Sequence, residues 1–187
     1  MAVFELHPAS TPDGGFAVAW FDDEACLWDD ERLCVPTPLA GSWRTPSLKL
    51  YRPESGVTPV LFNPNALAVS ESIKNKLASF PELEFLPVHI EGHGMFHILH
   101  VTASIELPKG ANARFSMNDP SDNIVEIKTF PQSFEPQFSF FRILHPVGSA
   151  ARKLGATTRE IYLSENGARA IMSLAKGYLV ASEVAGA

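Results

Sequence analysis

Two segments of the chain share one order of positions, an apolar run, then a Ser-Glu pair, then apolar residues at helical spacing. The first segment is LAVSESIKNKLASF, in which Ile73, Leu77 and Phe80 fall on one face of a helix. Ser70 stands where its side chain can accept hydrogen bonds from the free amides of the first turn. Pro81 ends the pattern. The segment predicts a short strand, a serine cap and an amphipathic helix.

The second segment, EIYLSENGARAIMSLAKGYLV, repeats this order closer to the C-terminus. Ser164 follows the apolar run, and Gly177 has the position of a glycine that ends a helix in the left-handed conformation. The predicted apolar face consists of Ala168, Ile171, Met172 and Ala175. The two similar segments are as compatible with chance similarity as with an internal duplication, because the capping pattern is common.

Alternating or β-branched positions predict strands between these two segments, in EFLPVHIEGHGMFHILHVTASIEL, DNIVEIKTF and QFSFFRIL. Prolines crowd the zone from Cys34 to Pro64, where they predict loops and edge segments with short extended pieces such as Leu48–Tyr51. We therefore predict an α+β fold with a mainly antiparallel sheet and two short strand-serine-helix units. Residues 1–187 are expected to form a single domain, with a proline-rich N-terminal portion, 1–64, and an α+β core, 65–182.

Composition excludes several classes of function. The chain has 187 residues, 45% of them hydrophobic, and a net charge of −6. Lysine and arginine are scattered, so the basic stripe of a nucleic-acid-binding protein is missing. No apolar run reaches the length of a membrane span, and MAVFELHPASTPDGG lacks the features of a secretory signal. We expect a cytoplasmic protein whose two cysteines, Cys26 and Cys34, remain reduced.

Four of the six histidines lie between Pro87 and Val101. A three-residue turn at Gly92-His93-Gly94 would place His89 opposite His97, with Cβ atoms about 5 Å apart. That pair would need a third and usually a fourth ligand to hold zinc, but His100 would lie on the other face of the strand and His93 at the tip. We therefore predict no metal site and no catalytic residue, and a tip histidine that is available to a partner.

The stretch WFDDEACLWDDERL, Trp20 to Leu33, interleaves carboxylates with aromatic residues. It is compatible with a solvated turn beside core tryptophans, and also with an interface for a basic protein. Aromatic residues anchor interfaces, and carboxylates steer a cationic partner. The chain contains none of the common nucleophile, zinc-protease or phosphate-loop motifs. The candidate partner-binding residues are Trp20, Asp22, Asp23, Glu24, Trp28, Asp29, Asp30, Glu31 and His93.

Four segments in order resemble the immunity proteins of bacterial polymorphic-toxin systems, in particular immunity protein family eleven, first catalogued as a domain of unknown function. They are WRTPSLKL, LAVSESIKNKLASF, LEFLPVHI with MFHILHV, and FFRIL with EIYLSENGARAIMSLAKG, which together cover roughly residues 43–180. The resemblance implies a non-enzymatic protein that binds one cognate toxin and neutralises it without a cofactor. A small metal-dependent enzyme that uses the histidine hairpin, and an adaptor subunit of a secretion system, remain the alternatives.

Overall fold

The computed structural model describes residues 2–8, 17–21, 32–50, 60–63, 66–174, 179–184 and 186. In these ranges the helices are α1 (Glu71–Leu77), α2 (Ala150–Lys153) and α3 (Glu165–Met172), with a short 3-10 helix at Ser116–Asn118. The strands are β1 (Val3–Pro8), β2 (Ala17–Phe21), β3 (Ser47–Leu50), β4 (Val60–Asn63), β5 (Ala66–Val69), β6 (Leu83–Ile90), β7 (Gly94–Val101), β8 (Ser104–Ile105), β9 (Asn112–Phe115), β10 (Ile124–Thr129), β11 (Phe140–Ile143), β12 (Tyr162–Leu163) and β13 (Leu179–Val184).

Six strands form a closed barrel in the order β2-β3-β6-β7-β5-β4. The long β6–β7 hairpin is its largest pairing, and the β2–β4 and β3–β6 contacts are parallel. Three of these strands, β2, β3 and β4, come from residues 1–64. The extended piece predicted at Leu48–Tyr51 is observed as β3, but β3 and β4 lie inside a closed barrel, so the predicted edge position is wrong for them. Proline lacks an N–H donor but keeps its carbonyl acceptor, and the carbonyl of Pro46 accepts a hydrogen bond from His89 N at 2.9 Å.

A second sheet has five strands in the order β13-β1-β12-β11-β8. The N-terminal strand β1 lies inside this sheet, where it pairs antiparallel with both β12 and β13. The β11–β8 pairing is parallel, and β9 and β10 form a separate antiparallel ribbon. Most pairings are antiparallel, which confirms the predicted α+β fold.

Helices α1 and α3 contribute to the same hydrophobic core. Ile73 and Leu77 of α1 belong to one buried cluster with Ala168 and Ile171 of α3. The cluster also includes residues of both sheets, among them Val69, Leu99, Phe140 and Leu163. The apolar spacing that predicts these helices therefore reflects the faces that they bury.

The two predicted serine caps behave differently. Ser164 precedes α3, and its hydroxyl accepts a hydrogen bond from Gly167 N at 3.5 Å. Ser70 also holds the extended cap conformation, but its side chain makes no capping hydrogen bond; its backbone carbonyl instead accepts from Ile73 N and Lys74 N. The predicted side-chain cap at Ser70 is thus wrong.

Both helices differ from the sequence pattern at their C-terminal ends. Helix α1 ends at Leu77, before Pro81, and Phe80 follows in a turn where it packs edge-on against Phe140 at 4.9 Å between ring centroids. On α3, Met172 is 61% exposed, so its place on the apolar face is wrong. Ile171 and Leu174 belong to the core cluster, whereas Met172 between them faces solvent. Ala175 and Gly177 lie outside the described residues.

Candidate partner-binding site

The tip of the β6–β7 hairpin is one residue away from its predicted position. Ile90 pairs with Gly94, so the loop consists of residues 91–93, and His89 faces Met95 while Pro87 faces His97. The predicted pairing of His89 with His97 is therefore wrong. A hydrogen bond from His93 N to the Ile90 carbonyl (2.9 Å) closes the turn. Gly94 leaves the turn with a φ of 83°, a conformation that glycine adopts without strain.

The histidines of the hairpin contact different parts of the molecule. His89 Nδ1 lies 3.5 Å from Ser47 Oγ on β3, and His97 Nε2 lies 2.5 Å from Glu71 Oε2 on α1. His100 points to the other side of β7 and meets Glu84 and the carbonyl of Val35. Across the described ranges, no three His, Cys, Asp or Glu side chains are close enough together to hold a metal ion.

Glu71 joins His97 to a lysine on the surface of α1. Its carboxylate accepts from Lys74 Nζ at 3.1 Å as well as from the His97 ring. The hydrogen bond from Lys74 is the largest cause that lowers the pKa of Glu71, and the bond from His97 acts in the same direction. A charged Glu71 therefore engages the His97 ring as part of a structural contact between α1 and β7.

His100 and Glu84 form hydrogen bonds with residues 35–40, the segment that follows the acidic stretch in the sequence. Glu84 accepts from Leu39 N (2.8 Å), Ala40 N (2.7 Å) and His100 Nδ1 (3.0 Å), and His100 Nε2 meets the Val35 carbonyl at 3.0 Å. Burial lowers the pKa of His100, and the bonds to Glu84 and to Val35 oppose this effect. The pKa of Glu84 is also lowered; burial raises it, but the amides of Leu39 and Ala40 and the His100 ring together outweigh burial. Residues 35–40 are thereby held against the barrel.

One rung of backbone pairings connects Phe21, the last residue of β2, to the base of the hairpin turn. Phe21 pairs with Leu48, Leu48 with Ile90, and Ile90 with Gly94. Neighbouring strands lie about 4.8 Å apart, so the backbone of Phe21 is about 10 Å from that of Ile90. Phe21, the residue before the acidic stretch, therefore lies on the last rung before the hairpin turn. Because β2 runs antiparallel to β3 and β6, it reaches Phe21 in the direction that leads away from the tip, and the acidic residues themselves lie outside the described residues.

The described members of the predicted partner-binding set are Trp20 and His93. Trp20 is part of β2, where its backbone pairs with Lys49, and the half-buried His93 lies in the hairpin loop. The other seven predicted residues lie outside the described residues: Asp22, Asp23, Glu24, Trp28, Asp29, Asp30 and Glu31.

Three residues near the hairpin tip, Lys49, Glu91 and Met95, were not predicted from the sequence to contribute to a binding surface. Met95 is 49% exposed beside the tip, and Lys49 Nζ lies 3.9 Å from Glu91 Oε2 in an exposed ion pair. No local pattern marks them, because Lys49 reaches the hairpin only through the parallel pairing of β3 with β6. We call the set of Glu91, His93, Met95 and Lys49 the tip surface.

The chain matches no protein-family model and no curated protein. None of the helices in the described ranges combines the length and the apolar character that crossing a membrane requires.

Proposed function

We propose that this protein is a non-enzymatic immunity protein, which binds one cognate bacterial toxin and neutralises it by direct contact. This is the function that the resemblance of its four ordered segments implies. The observation that supports the proposal is the rung Phe21–Leu48–Ile90–Gly94, in which Phe21, the residue before the acidic stretch, lies two strands from the base of the hairpin turn.

The charge of the acidic stretch suits a basic partner. Asp22, Asp23 and Glu24 follow Phe21 in sequence, in a chain whose net charge is −6. Carboxylates grouped on one side of a protein raise the rate at which a cationic partner arrives. The exposed Met95 and the half-buried His93 supply apolar and hydrogen-bonding surface at the hairpin tip. Met side chains adapt to the shape of the surface they meet.

The toxin would act in the cytoplasm, where we expect this protein to reside, and the complex needs no cofactor. The enzyme alternative has less support, since His89, His97 and His100 each engage a different element and none faces a second histidine. No observation favours an adaptor subunit of a secretion system.

The proposal is tested by expressing the product of the adjacent gene alone and together with this protein, and by measuring growth. We expect the neighbour to stop growth alone and to be harmless in the pair, and the two purified chains to form a stable complex. A harmless neighbour, or a lethal one that this protein neither binds nor neutralises, contradicts the proposal.

A matched pair of variants assigns the surface in the same assay. Asp22→Lys combined with Asp23→Lys reverses two charges in the acidic stretch, and we expect it to weaken protection. Glu135→Lys combined with Glu183→Lys makes the same change in charge at two exposed positions outside the barrel. We expect this control to protect as the wild type does. Equal protection by both variants would remove the acidic stretch from the interface.

A further inference from the structure

A cavity of about 770 Å³ lies on the side of the molecule where residues 32–35, the β9–β10 ribbon and α2 meet. Its floor is built from buried residues whose polar groups already have partners. His145 Nδ1 accepts from Ile124 N at 3.0 Å, and Thr157 Oγ1 donates to the Cys34 carbonyl at 2.7 Å. The volume is within the range of pockets that hold small molecules. The hydrogen bonds among the floor residues hold the shape of the cavity.

The lining of the cavity is apolar at its rim. Leu154 is 74% exposed and Val125 is 40% exposed, and Ala150 and Ala151 of α2 add methyl groups beside them. Large apolar side chains that stay exposed around a concavity are typical of a ligand site. The ligand would therefore carry an apolar body.

The charge of the lining is positive although the whole chain is acidic. Arg32 and Arg159 line the cavity, and Glu160 is its acidic residue. The Arg159 side chain is exposed and makes no hydrogen bond or ion pair with any described residue. Arg32 is engaged already, since it donates to Ser42 Oγ at 2.8 Å. Arg159 is thus the cation that a ligand can recruit.

A third arginine lies behind the floor. Arg142 is 2% exposed and donates from Nη1 to the Thr158 carbonyl at 3.3 Å. Its Nε has no hydrogen-bond partner among the described residues. Thr158 directly follows Thr157, which lines the cavity, so this buried guanidinium lies near the floor. A buried charge acts over a longer range than an exposed one because solvent screens it less.

We propose that this cavity binds a small amphipathic anion, in which a carboxylate or phosphate faces Arg159 and an apolar body lies between Val125, Leu154 and Ala150. The planar fork of arginine suits both acidic groups. This site is separate from the tip surface, and the inference does not depend on the proposed immunity function.

Fluorescence titration of the full chain with anilinonaphthalene sulfonate, an anion with an aromatic body, tests the proposal. We expect saturable binding to one site and displacement by decanoate, by decyl phosphate, or by both, which distinguishes the two acidic groups. Failure of both competitors to displace the probe would overturn the inference. Absence of saturable binding would overturn it as well.

Three variants locate the probe. Arg159→Gln is expected to weaken binding about tenfold, as for the loss of one charge-assisted hydrogen bond. Ala150→Trp fills the space without changing charge and is expected to abolish binding. Arg44→Gln, which changes an exposed arginine outside the cavity, is the matched control and should bind as the wild type does. Wild-type affinity in Arg159→Gln would overturn the proposal, even if Ala150→Trp failed to fold.

Discussion

His100 Nδ1 lies 3.0 Å from Glu84 Oε2 in the interior of the protein, and His100 is fully buried. The pair joins β6 to β7 and at the same time holds the backbone of Val35, Leu39 and Ala40. Residues 35–40, which form no strand, are thus held in place by one carboxylate and one imidazole. Three predictions concern the stability of the fold, and two concern the proposed interface.

Glu84→Gln is expected to lower the free energy of unfolding by about 2 kcal/mol, the cost of leaving a buried donor unpaired. The amide has one acceptor oxygen, whereas both carboxylate oxygens of Glu84 accept hydrogen bonds from backbone amides. Urea unfolding measures the difference. Glu126→Gln removes an exposed pair with Arg114 and should change stability by less than about 0.5 kcal/mol. Equal effects in the two variants would contradict the role of Glu84.

Acid should destabilise the protein through His145. Its Nδ1 accepts from Ile124 N, and burial lowers its pKa. The unfolded chain therefore takes up a proton more readily than the folded one below about pH 6.5, and the free energy of unfolding falls as pH falls.

Urea unfolding between about pH 8 and pH 5.5 tests this linkage. His145→Asn keeps an acceptor but has no titrating ring, so its stability should depend less steeply on pH than that of the wild type. The same slope in both proteins would show that His145 does not contribute. The pair of His100 and Glu84 remains in both proteins and cancels from the comparison.

Gly167→Ala is expected to cost about 3 kcal/mol or more, the upper range for an overpacked core. An added Cβ would lie 2.2 Å from the carbonyl oxygen of Ser139, and a backbone atom cannot rotate away as a side chain would. Gly41→Ala is the control, because no atom lies within 4 Å of its added Cβ. Thermal unfolding of the two variants gives the comparison. A stable Gly167→Ala protein would mean that α3 can shift away from Ser139.

Reversing the charges of Asp22, Asp23, Asp29 and Asp30 to lysine should slow association with the cognate toxin and leave the fold intact. If the carboxylates steer the partner, the association rate constant should fall at least about tenfold at low ionic strength. Stopped-flow mixing at several salt concentrations measures it. The wild-type rate should decrease as salt is added, and an unchanged rate in the variant would contradict the surface assignment.

Met95→Ser should speed dissociation of the same complex by about tenfold, the effect of losing a buried apolar contact of about 1.4 kcal/mol. Met95 is exposed beside the hairpin tip, and Met172 is a comparably exposed methionine on α3. Met172→Ser therefore serves as the control and should dissociate as the wild type does. Similar dissociation of all three proteins would place the tip surface outside the interface.

Local patterns in the sequence predict several elements correctly. Helical spacing at Ile73 and Leu77 marks the buried face of α1, and Ser164 caps α3 as its position indicates. Period-two alternation and the Gly-His-Gly stretch identify the β6–β7 hairpin. These signals are readable because each arises between residues fewer than ten positions apart, where the geometry of one helix or one turn dominates.

Only the tertiary structure decides the hairpin register, the barrel, and the position of Phe21 beside the hairpin. The pairing of Leu48 with Ile90 joins residues that are far apart in the chain. It is made by backbone groups, which every sequence has, so no pattern of side chains predicts it. The sequence predicts Gly167 only as a helix residue. It does not predict that a Cβ is excluded there, because the Ser139 carbonyl that would clash with it belongs to a distant segment. Non-local backbone pairing is thus what placed Phe21 on the rung of Ile90 and Gly94, and close backbone contact is what requires a glycine at position 167.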